Sequence, residues 1–204
     1  MKLRIVGLGD STTAGTPGFL SPLEAPPSGK GNSESQYAYW MMRTHPEWAV
    51  LNRGVNGERS DQIEARFQRD VLEENPNYVI ILAGVNDIYQ GVPLDAIKRS
   101  LLKMYERAIA TGIKPIAATV LPYNTASKDE TQAIHSLNNW IKETASKLAI
   151  PICDTHLAVR DPNEPDRLSN STDEHHPDVE GYRKMAEAFC TIIDNDKAQR
   201  ISDH

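Results

Sequence analysis

The sequence of 204 residues is short of several residue types, and each shortage excludes a class of function. It has two cysteines, Cys153 and Cys190. Two thiols cannot build a disulfide framework, and no C-x-x-C or H-E-x-x-H run supplies metal-ligand spacing. Cys153 lies in an apolar strand-like run and Cys190 on an apolar helix-like stripe, so both are expected as buried free thiols. Basic residues are outnumbered, 22 Lys and Arg against 28 Asp and Glu, for a formal net charge of −6. That balance lacks the basic face a nucleic-acid partner requires. No apolar run approaches the length of a membrane span, and Met1–Leu8 is too short and too mixed for a signal peptide. The expectation is a cytoplasmic chain without stable membrane insertion. With 39% hydrophobic and 25% charged residues, the composition is that of an ordinary globular protein. One domain over 1–204 is expected, with 194–204 as a frayed tail. The oligomeric state is left open.

What is present begins with Lys2–Gly15, KLRIVGLGDSTTAG. Its apolar residues Leu3, Ile5, Val6 and Leu8 read as a buried strand running into a turn that carries Ser11. Asp10, Ser11, Thr12 and Thr13 are all capping residues, so Ser11 is either a helix cap or a nucleophile. The glycines fit no phosphate cradle. A dinucleotide fingerprint needs Gly where Thr12 stands, and a P-loop needs Lys where Thr16 stands. A G-x-S-x-G elbow needs Gly where Thr13 stands.

Further strands are read at Trp48–Leu51, Tyr78–Ala83, Lys114–Val120 and Ile150–Asp154. Helical periods are read over Gln36–Thr44, from Ser60 through Ile63, Phe67 and Val71, and over Leu94–Thr111, Glu130–Leu148 and Val179–Ile193. Thr16–Ser35 and Ala158–Thr172 read as loops, the former either a functional segment or a passive insertion. Strands alternating with helices indicate parallel βαβ units. The fold class is therefore α/β, a three-layer α/β/α sandwich around a central five-stranded parallel sheet, flavodoxin-like in shape.

In such sheets ligands bind outside the carboxyl ends of the strands. Ser11, Gly57, Asn86 and Tyr123 all follow strand ends. Asp173 and His176, three apart before the last helix, suit a carboxylate that orients an imidazole base for a serine. A solvated charge patch is the plain alternative. A metal cluster of Asp173, Glu174, His175 and His176 is another, although adjacent ligands seldom converge on one ion. His45, His135, His156 and His204 have no partner pattern and read as structural or solvated. Oxyanion donors are available in the Ser11 N–H, the Gly57 N–H and the Asn86 amide, while turn and cap roles for Gly57 and Asn86 compete with that reading.

The chain resembles the SGNH hydrolases, the GDSL-type esterases and lipases, in four ordered blocks. These are Gly9-Asp10-Ser11 with Gly15, Asn52 through Gly57, Gly84-Val85-Asn86-Asp87, and Asp173-x-x-His176-Pro177. Thr12 stands where the first block often has Leu. The resemblance implies hydrolysis of a small-molecule ester through an acyl-Ser11 intermediate, with no metal and no cofactor. It makes His176 the base and Asp173 its orienting acid. It makes Ser11, Gly57 and Asn86 the oxyanion donors, with Gly54 a neighbouring competitor for the glycine role. Asp10 and Asp87 would support the turns through side-chain hydrogen bonds. The family covers acyl thioesters, lysophospholipids, aryl esters and acetylated sugars. Ile88, Tyr89, Leu121 to Tyr123, Phe19 and Leu20 are candidate acyl-pocket residues, and short to medium acyl chains are expected. Two readings compete: a metal-dependent hydrolase built on the Asp/His cluster, and a non-catalytic α/β module binding a small molecule at the strand exits.

Overall fold

The computed structural model describes residues 2–15 and 32–202. Thr16–Gly31, which includes Phe19 and Leu20, and His204 lie outside the described residues.

Five strands form one parallel sheet: β1 (Leu3–Gly9), β2 (Trp48–Gly54), β3 (Tyr78–Leu82), β4 (Lys114–Ala118) and β5 (Ile152–Cys153). Their spatial order is β2-β1-β3-β4-β5, the flavodoxin-like arrangement, in which the chain leaves β1 first to one side and then to the other. The register pairs Gly9 with Gly54 on one side of β1 and with Leu82 on the other, so these strand ends lie level.

Helices are α1 (Ser11–Ala14), α2 (Tyr37–Thr44), α3 (Ser60–Ala65), α4 (Val85–Tyr89), α5 (Leu94–Ala110), α6 (Lys128–Lys147), α7 (Thr155–Val159) and α8 (Val179–Ser202). They cover both sheet faces because alternate strand residues point to opposite sides. Val6, Leu8, Val79 and Ile81 join the core beneath α3, α5 and α6, with Phe67, Leu101, Tyr105 and Leu137. Ile5, Tyr78, Ile80 and Leu82 join the core beneath α2 and α8, with Tyr37, Met41, Tyr182 and Phe189. Both strand faces are buried, which is why YVIIL is continuously apolar rather than alternating. Cys153 and Cys190 are free and buried.

Several boundaries differ from the sequence reading. β2 runs three residues further, to Gly54, because its polar end, Asn52-Arg53-Gly54, pairs with the end of β1. The helix through Ile63, Phe67 and Val71 is broken: α3 stops at Ala65 and a π-turn follows over Gln68–Leu72. The described part of the tail is helical. α8 continues past Ile193 to Ser202, and Asp196 on that extension accepts a 2.7 Å bond from the Tyr78 hydroxyl and pairs with Lys114. These contacts lie far away in sequence, so a local pattern does not reveal them.

Candidate active site

The strand ends of β1, β2 and β3 bring together a serine, a turn glycine and an amide. Directly after β1, Asp10 caps α1 by accepting from the Thr12 N–H at 2.9 Å. This sets Ser11 as the first residue of the helical turn, and N–H groups of a first turn have no acceptor inside the helix. After β2, Gly54 is held against α1: a Cβ there would meet the Ala14 nitrogen at 2.0 Å, and its own N–H is bonded to Asn52 Oδ1 at 2.9 Å. Gly54 is therefore a packing glycine. Gly57, three residues on, adopts φ +77°, a conformation that favours glycine, and lies open, with nothing within 4 Å of a built Cβ. After β3, Asn86 sits on the first turn of α4 and gives one amide hydrogen to the Glu58 carbonyl at 3.0 Å. A carboxamide has two N–H groups, so one remains for a ligand.

From the other end of the chain, the turn before α8 delivers His176. Its Nε2 lies 2.8 Å from Ser11 Oγ and its Nδ1 lies 2.7 Å from Asp173 Oδ2. The second carboxylate oxygen, Asp173 Oδ1, accepts the backbone N–H groups of His175 at 3.0 Å and His176 at 2.8 Å. Ser171 Oγ donates to the His176 carbonyl at 2.7 Å, which fixes the turn further. Burial pushes the Asp173 carboxyl up, but the hydrogen bonds from His176 and the His175 amide outweigh it and hold the group well below the usual carboxylate range. Asp173 is thus ionised while bonded to the imidazole.

Two further acids stand behind the strand ends. Asp10 is fully buried, and burial raises its pKa to about 6 against the opposing bond from Thr12. Asp87 accepts the Ser60 N–H at 2.8 Å and the Ser60 hydroxyl at 2.6 Å, joining α4 to the start of α3. Burial also raises its pKa, opposed by those two bonds.

One residue not singled out from the sequence ties these loops together. The Arg66 side chain is 7% exposed and donates to the Gly9 carbonyl at 2.7 Å and the Arg53 carbonyl at 2.8 Å. It also pairs with Glu58 and Asp70, each at 2.6 Å. Glu58 in turn carries the carbonyl that Asn86 bonds. A polar residue inside a helical pattern is the only local signal for such a hub, and that signal does not point to partners.

Ser11, Gly57, Asn86 and His176 line one cavity of about 350 Å³, together with Tyr89 and Tyr123. Asn56, Val85 and His175 also line it and were not anticipated. Ile88 and Leu121 do not: each is packed into a core, on opposite faces of the sheet. Both follow strand ends, but their side chains turn inward. Tyr89, by contrast, is 62% exposed. The rings of Tyr123 and His175 are near parallel, with centroids 5.9 Å apart and planes at 13°, and Tyr89 meets both edge-on. His175 is therefore part of an aromatic wall, its Nδ1 on the Asp173 carbonyl and its Nε2 on Thr125, rather than a competitor of His176.

A flavodoxin-like sheet with a serine at a strand exit, in hydrogen-bonded line with a histidine and a carboxylate from the turn before the last helix, is an arrangement found in serine hydrolases. The chain belongs to the GDSL-like lipase/acylhydrolase family, whose model matches residues 8–184, and through it to the SGNH hydrolase superfamily. It is similar to an acetylxylan esterase of Geobacillus stearothermophilus, 25% identical over 169 residues that make up 75% of this chain and 76% of that one. It is 30% identical over 113 residues to the uncharacterized lipoprotein YqeF of Bacillus subtilis, and that match spans 45% of this chain and under half, 46%, of the lipoprotein. Among solved structures, one of a G-D-S-L family protein from Desulfitobacterium hafniense superposes with a TM-score of 0.77 at 27% identity, covering 93% of this chain and 98% of that one. No described helix is long and apolar enough to cross a membrane.

Proposed function

We propose that this protein is a serine esterase that hydrolyses short-chain carboxylic esters, with acetyl esters of sugar-like alcohols as its preferred substrates. The observation that carries the reading is the unbroken hydrogen-bonded line Ser11 Oγ, His176 Nε2, His176 Nδ1, Asp173 Oδ2 at the mouth of the cavity.

Ser11 Oγ attacks the ester carbonyl carbon while its proton passes to His176 Nε2. The new positive charge on the imidazole is stabilised by ionised Asp173, which accepts the Nδ1 hydrogen and fixes the tautomer. The carbonyl oxygen becomes negative and is received by the N–H groups of Ser11 and Gly57 and the second amide hydrogen of Asn86. Collapse breaks the bond to the alcohol, which leaves with the proton from His176. Water then attacks the acyl-Ser11 carbonyl with His176 again as base, releasing the acid and restoring the serine. Asp10 and Asp87 act by holding the turns that carry Ser11 and Asn86.

The wall of Tyr89, Tyr123 and His175 supports a flat-faced alcohol such as a pyranose, because aromatic faces pack well against rings with apolar C–H faces. The acetylxylan esterase relative points the same way. The test is hydrolysis of p-nitrophenyl esters from acetyl to dodecanoyl, together with acetate release from peracetylated xylose. Acetyl esters turned over at least tenfold faster than dodecanoyl, with acetate released from the sugar, is the expected result. A tenfold preference for dodecanoyl would replace the short-chain reading, and no release from the sugar would remove the alcohol assignment.

A further inference from the structure

We propose that His135, His156 and Asp166 form a second site that binds one divalent transition-metal ion of the zinc type and so fastens the segment leading to the Asp173–His176 turn. The sequence gives these histidines no partner, since His135 is on α6, His156 on α7, and Asp166 in the loop beyond. The fold brings one ligand atom of each within 4.8 Å of the others. His135 Nε2 already lies 2.5 Å from Asp166 Oδ1, and the two imidazole rings meet edge-on with centroids 6.0 Å apart.

The donor set fits the ion. Zinc takes imidazole nitrogen and carboxylate oxygen at about 2.0–2.2 Å, so ligand atoms around a tetrahedral ion stand about 3.3 Å apart. Small rotations of two exposed side chains, His135 and Asp166, close the remaining gap. His156 is half-buried, so its ring is the fixed member of the three. Three protein ligands leave a fourth position for water. His156 and His135 also line a polar cavity of about 270 Å³. Among the described residues two cations line it, Lys142, paired with Asp154 at 2.6 Å, and Arg160, which opposes the ion. This cavity shares no lining residue with the one at Ser11.

The ion would have a structural consequence. Asp166 lies in a loop closed by an antiparallel bridge between Arg160 and Leu168. Leu168 N–H donates to Asn124 Oδ1 at 2.7 Å, and the Asn124 N–H donates to the Glu174 carbonyl at 2.7 Å, inside the turn that holds Asp173 and His176. Joining Asp166 to α6 and α7 therefore ties down one end of the segment that presents the base.

The test uses the full chain stripped with chelator and titrated with zinc chloride, read by calorimetry and thermal unfolding. Expected are one ion per chain and a Tm rise of roughly 5–10 °C at about a hundredfold excess over Kd. Both should be lost in His135→Ala and in Asp166→Asn, and kept in His176→Ala. Proteolytic cleavage between residues 160 and 172 should slow with zinc in the wild type and in His176→Ala, and not in His135→Ala or Asp166→Asn. No binding, binding that survives His135→Ala with folding intact, or binding lost in His176→Ala would overturn the site. Binding without slower cleavage would overturn the fastening.

Discussion

His176 Nε2 stands 2.8 Å from Ser11 Oγ across a sequence separation of 165 residues. The contact joins the first strand exit to the turn before the last helix, so the two ends of the fold meet at the cavity. Replacing Ser11 by Ala removes the attacking atom and leaves the capping bond of Asp10 to Thr12 in place. Ester hydrolysis should fall by at least ~10³-fold with unfolding unchanged. Equal rates in mutant and wild type would make Ser11 a capping residue only.

Asp173→Asn keeps the size of the side chain and loses its charge. An Asn amide facing Nδ1 favours the wrong imidazole tautomer, as in other serine hydrolases, where the same change costs about 10⁴-fold in turnover. A loss of 10²-fold or more in kcat with KM little changed is expected. A change in KM alone would mean that Asp173 acts on substrate binding.

Asn86→Ala deletes both the bond to the Glu58 carbonyl and the second amide hydrogen, the proposed oxyanion donor. One oxyanion donor is worth roughly 10²–10³ in kcat. The effect should appear in kcat rather than KM, because the ground-state carbonyl carries little charge. Steady-state kinetics on p-nitrophenyl acetate separates the two.

Asp10 links stability to pH. Its folded pKa, about 6, lies above the ordinary 3.8, so the folded state holds this proton more tightly than the unfolded chain. Its contribution is therefore fully present below the unfolded value and is lost as pH rises through the folded one. A shift of two units corresponds to on the order of 3 kcal/mol. Asp10→Asn keeps an acceptor for the Thr12 N–H and removes the titration. The mutant should gain stability relative to wild type between pH 4 and pH 7, measured by urea unfolding. A constant difference across that window would show that Asp10 does not titrate there.

Arg66→Met removes a buried guanidinium and with it a donor to Glu58 and to the Gly9 and Arg53 carbonyls, of which Gly9 keeps the Val55 N–H. Breaking a buried pair from one side costs about 3–5 kcal/mol. Urea unfolding should show a loss of that order, and kcat should fall as the Glu58 carbonyl that anchors Asn86 loosens. A mutant of wild-type stability would mean that the hub is replaceable.

Much of this was legible locally. The continuous apolar run at Tyr78–Leu82 marks a strand buried on both faces, and alternation with amphipathic helices such as Leu94–Ala110 marks a parallel sheet covered on both sides. Ser11, Asn86 and the Asp173/His176 pair are visible because turns after strands carry few residues and each type there has a chemical signature. Other features were not legible. Ile88 and Tyr89 are adjacent and both apolar enough to line a pocket, yet the turn of α4 sends Ile88 into the core and Tyr89 outward. The end of α8 looks like a charged tail, but Asp196 finds Tyr78 and Lys114 on the sheet.

The sequence by itself determined the order of strands and helices, the two-faced core and the residue types at each strand exit, because hydrophobic period and turn chemistry act over a few neighbours. Only the tertiary structure decided which groups meet. It packed Gly54 on α1 and left Gly57 open beside the cavity, put His175 into an aromatic wall and His176 on Ser11, and gathered His135, His156 and Asp166. Those outcomes depend on crossovers that fold distant segments onto one another, and side-chain direction at such contacts is fixed by packing rather than by the local chain.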